Sequence, residues 1–226
     1  QGEVYDGNKY AQLSGRQVPG YWGQKPFNGN YATMGMILFL FAIIGAIYYR
    51  KEKFVIGLIA FTILSIALSF GRHFPELYKL FFYYVPYFSK FRAPSMILNI
   101  TFLSTLILAG YGITGIVKLY TPKDIKWILS VFGVGLFAVV ATLLLSDSFA
   151  YTMQSELGRY DANTLNMIKD IRKEFLVADA QKLLMFLIPT ILLVIAYLFR
   201  KIKLEFFIVL LLIFSTAEIL TLSNRA

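Results

Sequence analysis

Long apolar runs separated by short polar connectors dominate this chain. Six of them approach or reach the roughly 17–25 residues that a helix needs to cross a bilayer: Ala32–Tyr49, Phe54–Phe70, Met96–Val117, Trp127–Leu145, Leu183–Phe199 and Phe206–Leu222. At about 1.5 Å per residue, even the first and second span the hydrocarbon with little tilt. A soluble protein can hide one such helix pair in its core. Six runs in 226 residues predict an all-α, polytopic transmembrane helix bundle. The pattern divides the chain into a loop at 1–31, four spans within 32–145, a second loop at 146–182 and two further spans within 183–226. An aromatic, basic connector at 71–95 interrupts the first four spans.

The two loops differ. Residues 1–31 are rich in Gly, Asn, Gln and Tyr and show no period. Within 146–182, Leu165, Ile168, Ile171, Phe175 and Ala178 recur at helical spacing, while Lys169, Asp170, Lys173 and Glu174 fall on the other faces. That predicts an amphipathic helix with Asp161 or Asn163 as N-cap, lying on the membrane surface or on the ends of the bundle. Inside the apolar runs, Ala42 and Ala46, Gly110, Gly112 and Gly115, and Gly133 and Gly135 predict close helix packing.

Composition agrees with a membrane chain, at 58% hydrophobic and 15% charged, where soluble domains carry about 25% charge. The net charge of +9 would suit nucleic acid in a soluble protein. Here the cations flank apolar runs, so membrane topology accounts for them and no nucleic-acid partner is expected. Three short connectors carry Arg50, Lys51 and Lys53, then Lys118, Lys123 and Lys126, then Arg200, Lys201 and Lys203. The positive-inside rule puts these in the cytoplasm, which leaves both termini, the 71–95 connector and the 146–182 loop extracytoplasmic. With no cysteine and a single histidine, His73, disulfides, Cys nucleophiles and Cys- or His-rich metal centres are excluded, and no cofactor is implied. The chain opens without a basic n-region and stops just after an apolar run, so a fragment of a longer polypeptide is expected.

Three local patterns carry a resemblance. Tyr21-Trp22-Gly23-Gln24-Lys25-Pro26-Phe27 precedes the first span, Phe91-Arg92-Ala93-Pro94-Ser95-Met96 enters the third, and Asp179-Ala180-Gln181-Lys182 precedes the fifth. In these the chain resembles the YfhO family of bacterial multi-pass membrane proteins. Lys182 stands where the family pattern has Arg, and a Lys cannot grip bidentately. The resemblance implies a piece of a longer protein of the bacterial cell membrane, related to cell-envelope glycosyltransferases of the type C architecture. Such an enzyme takes a sugar from a polyprenyl-phosphate donor outside the membrane and passes it to an envelope polymer. The catalytic acid that architecture implies would lie upstream of Gln1, so no catalytic residue is assigned.

Binding residues can be named. Between the second and third spans stand Arg72, Lys79, Lys90 and Arg92, with His73, opposed only by Glu76. Arg92, Lys90 and Arg72 are candidates to hold a lipid-linked phosphate, with Tyr83, Tyr84 and Tyr87 as hydroxyl donors. The same residues also suit an interfacial belt of aromatics and snorkelling cations. Pro86 and Pro94 confine Arg92 to a short, restricted turn. Inside the spans the polar candidates are Glu218, about a turn from the end of its run, and Asn99, one turn into the third span. Asp170 and Glu174 read as solvated surface. The expected partners are membrane lipids, a polyprenyl-phosphate sugar and an envelope polymer. The competing classes are a transporter or flippase for an envelope precursor and a non-catalytic scaffold.

Overall fold

The computed structural model describes residues 34–69, 75–85, 88, 97–118, 120–152, 157–158 and 160–223. Every regular element among them is helical: α1 Met36–Tyr48, α2 Lys53–Ser69, α3 Pro75–Tyr84, α4 Leu98–Lys118, α5 Ile125–Leu144, α6 Ala162–Leu198 and α7 Leu204–Ser223, with short 3-10 turns at Pro122–Asp124 and Ser146–Ser148. Four helical stretches are long and apolar enough to cross a membrane: Leu98–Lys118, Pro122–Leu144, Ala162–Leu198 and Leu204–Leu222. Large apolar side chains stand outward along them, among them Phe137, Leu192 and Leu212. Water would penalise that surface and lipid does not, so the protein is membrane-embedded. The helices α1 and α2 are apolar but shorter, with 13 and 17 residues. They reach about 20 and 25 Å, against a hydrocarbon core of about 30 Å.

The chain divides into two compact units, one of Met34–Phe132 and one that includes Gly133–Ala226. In the first, α1 packs along α4 and α2 packs against α4. The α1–α4 crossing is set by glycine. A Cβ on Gly112 would run into the Phe41 carbonyl, and one on Gly45 into the Leu108 carbonyl and, at 2.6 Å, the Gly112 nitrogen. The two backbones therefore touch, which is how helices gain packing energy where lipid removes the hydrophobic drive. Gly115 makes room for the Tyr48 ring, whereas Gly110 and Gly133 face open space. Of the small residues read from sequence, Gly112 and Gly115 pack as expected and Ala42 is buried, while Gly45, which completes the crossing, was not among them.

In the second unit α6 and α7 form an antiparallel hairpin, with the Tyr197 and Phe207 rings stacked at 4.3 Å. The turn between them closes with the Lys201 N–H donating to the Ala196 carbonyl at 2.8 Å and the Arg200 N–H to the Tyr197 carbonyl at 2.9 Å. Arg200 takes the left-handed conformation there, φ 55°, a position that usually falls to glycine. At 37 residues α6 is about 55 Å long, well beyond one bilayer crossing. The amphipathic segment and the fifth apolar run are thus one continuous helix. No breaker lies between Ala178 and Leu183, so the helix runs on as its surface changes from one-sided to apolar all round. Asp179 to Lys182, expected as a lead-in to a span, are helical residues within it. The connector at 71–95 also holds more helix than its composition suggested, namely α3, which stops before Pro86 as the residue preceding proline resists helix.

The glycine crossing gives a paired test. Gly112→Ala should destabilise the protein by about 1–3 kcal/mol, the usual cost of forcing a group into a closed contact. Gly110→Ala, two residues away on open surface, should be neutral or slightly stabilising. Thermal unfolding midpoints of both variants in the same detergent check the contrast.

Candidate functional site

Between α5 and the apolar half of α6 the chain builds an ordered polar platform. The turn Ser146–Ser148 follows α5, and the chain then folds back so that the Tyr151 hydroxyl donates to the Ser146 carbonyl at 2.5 Å. Tyr151 is buried, and the Phe149 ring meets it edge-on at 6.4 Å. The Arg172 guanidinium reaches across from α6 and donates through Nη1 to the Tyr151 carbonyl at 2.6 Å. Next to it Lys173 pairs with Asp147 in a close ion pair. Ile168 and Ile171 are buried beside this loop, with Tyr160, Met167 and Phe175 packed against them.

Adjacent cations thus have opposite fates. Lys173 stays partly exposed, and an exposed pair such as Lys173–Asp147 contributes little to stability. Arg172 has no exposed surface at all. A buried guanidinium is costly unless its donors are bonded, so its bond to the Tyr151 carbonyl ties the loop to the helix at a point where slippage would be expensive. Burial pushes the Tyr151 phenol above its ordinary value; the Lys173 charge opposes this and the Asp147 charge adds to it. At the start of α6, Asp161 is the N-cap residue, as one of the two expected choices. The Thr164 hydroxyl donates to its carboxylate at 2.5 Å and holds it below the usual carboxylate range, burial opposing weakly.

The sequence reading missed Arg172, although its phase was visible. It lies four residues after Ile168 and three before Phe175, on the apolar face, where a cation is out of place. Asp170 and Glu174 are exposed as expected; of the apolar positions, Ile168 and Ile171 are buried and Leu165, Phe175 and Ala178 are half-buried.

Of the residues proposed to hold phosphate, Arg92, Lys90 and Arg72 lie outside the described residues, as do His73, Tyr87, the 1–31 loop and the Phe91–Met96 pattern. Tyr83 and Tyr84 are exposed at the end of α3. Asn99 is exposed in the first turn of α4. Glu218 is fully buried, on the α7 stripe of Phe207, Leu211, Ser215 and Leu222. It lies about 22 Å along the helix from Lys203, within the apolar layer and nearer the far end. It keeps its place about a turn and a half from the end of α7 and is enclosed by protein there. Among the described residues no group of three His, Asp or Glu side chains could hold a metal ion.

Arg172→Met keeps the length and loses the donors. It should cost about 1.5–3 kcal/mol, the range for a hydrogen bond to a charged group, and should free the loop around Phe149 and Tyr151. Limited chymotrypsin digestion of the detergent-solubilised protein should then cut there faster than in wild type, while Lys173→Met should change the rate little.

Compared with known proteins, the chain matches no protein-family model, no curated protein and no solved structure.

Proposed function

We propose that this chain is part of a YfhO-like integral protein of the bacterial cell membrane that transfers sugar from a polyprenyl-phosphate donor to an envelope polymer on the outer side. In this reading α1 and α2 complete a six-span bundle. The three basic connectors then face the cytoplasm, and both termini, the 71–95 connector and the platform before α6 face outward. Arg92, Lys90 and Arg72 grip the donor phosphate, and charge placed against the departing phosphate stabilises the leaving group.

The observation that carries the reading is the platform. After α5 the chain makes a turn that a buried arginine ties to the first half of α6, where Lys169, Asp170 and Glu174 present charge outward. Chemistry on a lipid-linked headgroup needs such a surface, held at the membrane boundary by rigid elements. A transporter or flippase would instead need broken helices and polar groups near the midplane. The four long spans here run without interruption, and even Pro189 sits inside continuous α6.

The test is genetic and chemical. Deleting the gene and restoring it with wild type or Arg92→Ala should give, respectively, loss, recovery and renewed loss of a sugar from an envelope polymer, at equal membrane levels of the two proteins. The lipid-linked sugar should accumulate where an externally added, membrane-impermeant glycosidase can reach it. Accumulation on the inner leaflet would point to a flippase instead, and unchanged polymer in the deletion strain would end the enzyme reading.

A further inference from the structure

At the end of the first unit that carries Arg50 and Lys51, α1, the α1–α2 turn and the start of α5 enclose a cleft of about 640 Å³. Its wall is aromatic. The Tyr48 and Trp127 rings meet edge to face, with centroids 5.0 Å apart. Its rim is charged and mixed in sign, with Arg50, Lys51 and Glu52 from the turn and Asp124 from the 3-10 turn before α5.

The two carboxylates are not equivalent. Asp124 accepts from the Thr121 N–H at 2.7 Å, the Thr121 hydroxyl at 2.8 Å and the Trp127 indole N–H at 2.9 Å. It is a capping group, its acceptor capacity taken up in holding the turn and the Trp127 ring in place. Glu52 immediately precedes α2: its N–H donates to the Tyr49 carbonyl at 2.9 Å and its carbonyl accepts from the Ile56 N–H at 2.9 Å. Its side chain is exposed, as are those of Arg50 and Lys51, and no ion pair joins the three among the described residues. The cleft thus offers two cations and one available carboxylate beside a preset aromatic wall.

We infer that this cleft binds a phosphoethanolamine headgroup, with phosphate on Arg50 and Lys51 and the primary ammonium between Glu52 and the aromatic face of Trp127. A site for anionic lipid would need only the cations. Here the mixed rim matches a headgroup that is itself a zwitterion. The cleft lies where apolar helices meet their polar connectors, which is headgroup depth, and Tyr and Trp favour that depth. Phosphate suits the Arg fork and the Lys ammonium. An ammonium with N–H donors suits a carboxylate, whereas a quaternary ammonium calls for a cage of several rings. The inference is independent of glycosyl transfer and needs only the membrane setting.

The sequence contains two tryptophans, Trp22 and Trp127, so Trp22→Phe leaves Trp127 as a reporter inside the cleft. In detergent micelles, dihexanoyl-phosphatidylethanolamine should change its fluorescence saturably. The glycerol and choline analogues should need at least about fivefold more lipid. Glu52→Gln should weaken ethanolamine-lipid binding about fivefold to tenfold and leave the glycerol lipid unchanged. The double variant Arg50→Gln, Lys51→Gln should weaken all three. All three substituted side chains are exposed, so these variants keep the fold. Saturation by soluble glycerophosphoethanolamine would support recognition through the headgroup alone, and saturation by the lipid only would support a requirement for its chains. Equal binding of the glycerol or choline lipid or of inorganic phosphate, or a preference untouched by Glu52→Gln, would overturn the inference.

Discussion

A peptide backbone in hydrocarbon has no water to bond to, so each of its polar groups must find a partner within the protein. That constraint explains why every regular element described here is a helix, and a number of side-chain hydroxyls in the helices follow it too. The hydroxyls of Thr105, Thr114, Ser130, Thr142 and Thr190 each donate to the carbonyl four residues back, and Ser215 donates to the one three back. A polar side chain turned onto its own helix can then stand in an apolar layer at little cost. Pro189 in α6 follows the same logic. It has no N–H to offer the preceding turn, and the adjacent Thr190 hydroxyl bonds within that turn, to the Phe186 carbonyl.

With the backbone satisfied inside each helix, helices can associate only through shape. The closest such fit described in the first unit is the reciprocal one that sets Gly112 on the Phe41 carbonyl and Gly45 on the Leu108 carbonyl, and it fixes how α1 lies on α4. Neighbouring features follow from it. Phe41, whose carbonyl abuts Gly112, turns its ring against Phe132 at 5.4 Å, and Tyr48, seated over Gly115, meets Trp127. The aromatic wall of the cleft is therefore held partly by Gly115, in the last turn of α4.

What could be read in advance was whatever depends on a run or a period. Apolar length foretold the four long spans and the short basic turns between helices. The spacing of Ile168 and Ile171 foretold helix there, with both residues buried, and Asp161 its cap. What could not be read was whatever depends on which faces meet. Gly45 looked no different from other small residues in its run, because its role comes from the carbonyl of Leu108, more than sixty positions away. Lys182 marked a hydropathy boundary but not a structural one, since a helix needs no break where its surroundings change from water to lipid. For Glu218 the distance from the end of its run was visible and its enclosure by neighbours was not.

Charge placement shows why such exceptions carry meaning. Most ionisable side chains of this chain lie in connectors or on exposed faces, where they cost nothing to keep. Arg172 and Glu218 are fully buried, and burying an ion carries a penalty of several kcal/mol before any bond repays it. A hydrophobic residue of similar volume would often serve stability as well or better. Arg172 does what such a residue cannot: it fixes the carbonyl of Tyr151 and with it the course of the loop. Glu218 sits among apolar residues of α7, where a carboxylate is not needed for packing. Among the described residues of the spans, Glu218 is thus a carboxylate that packing alone does not account for.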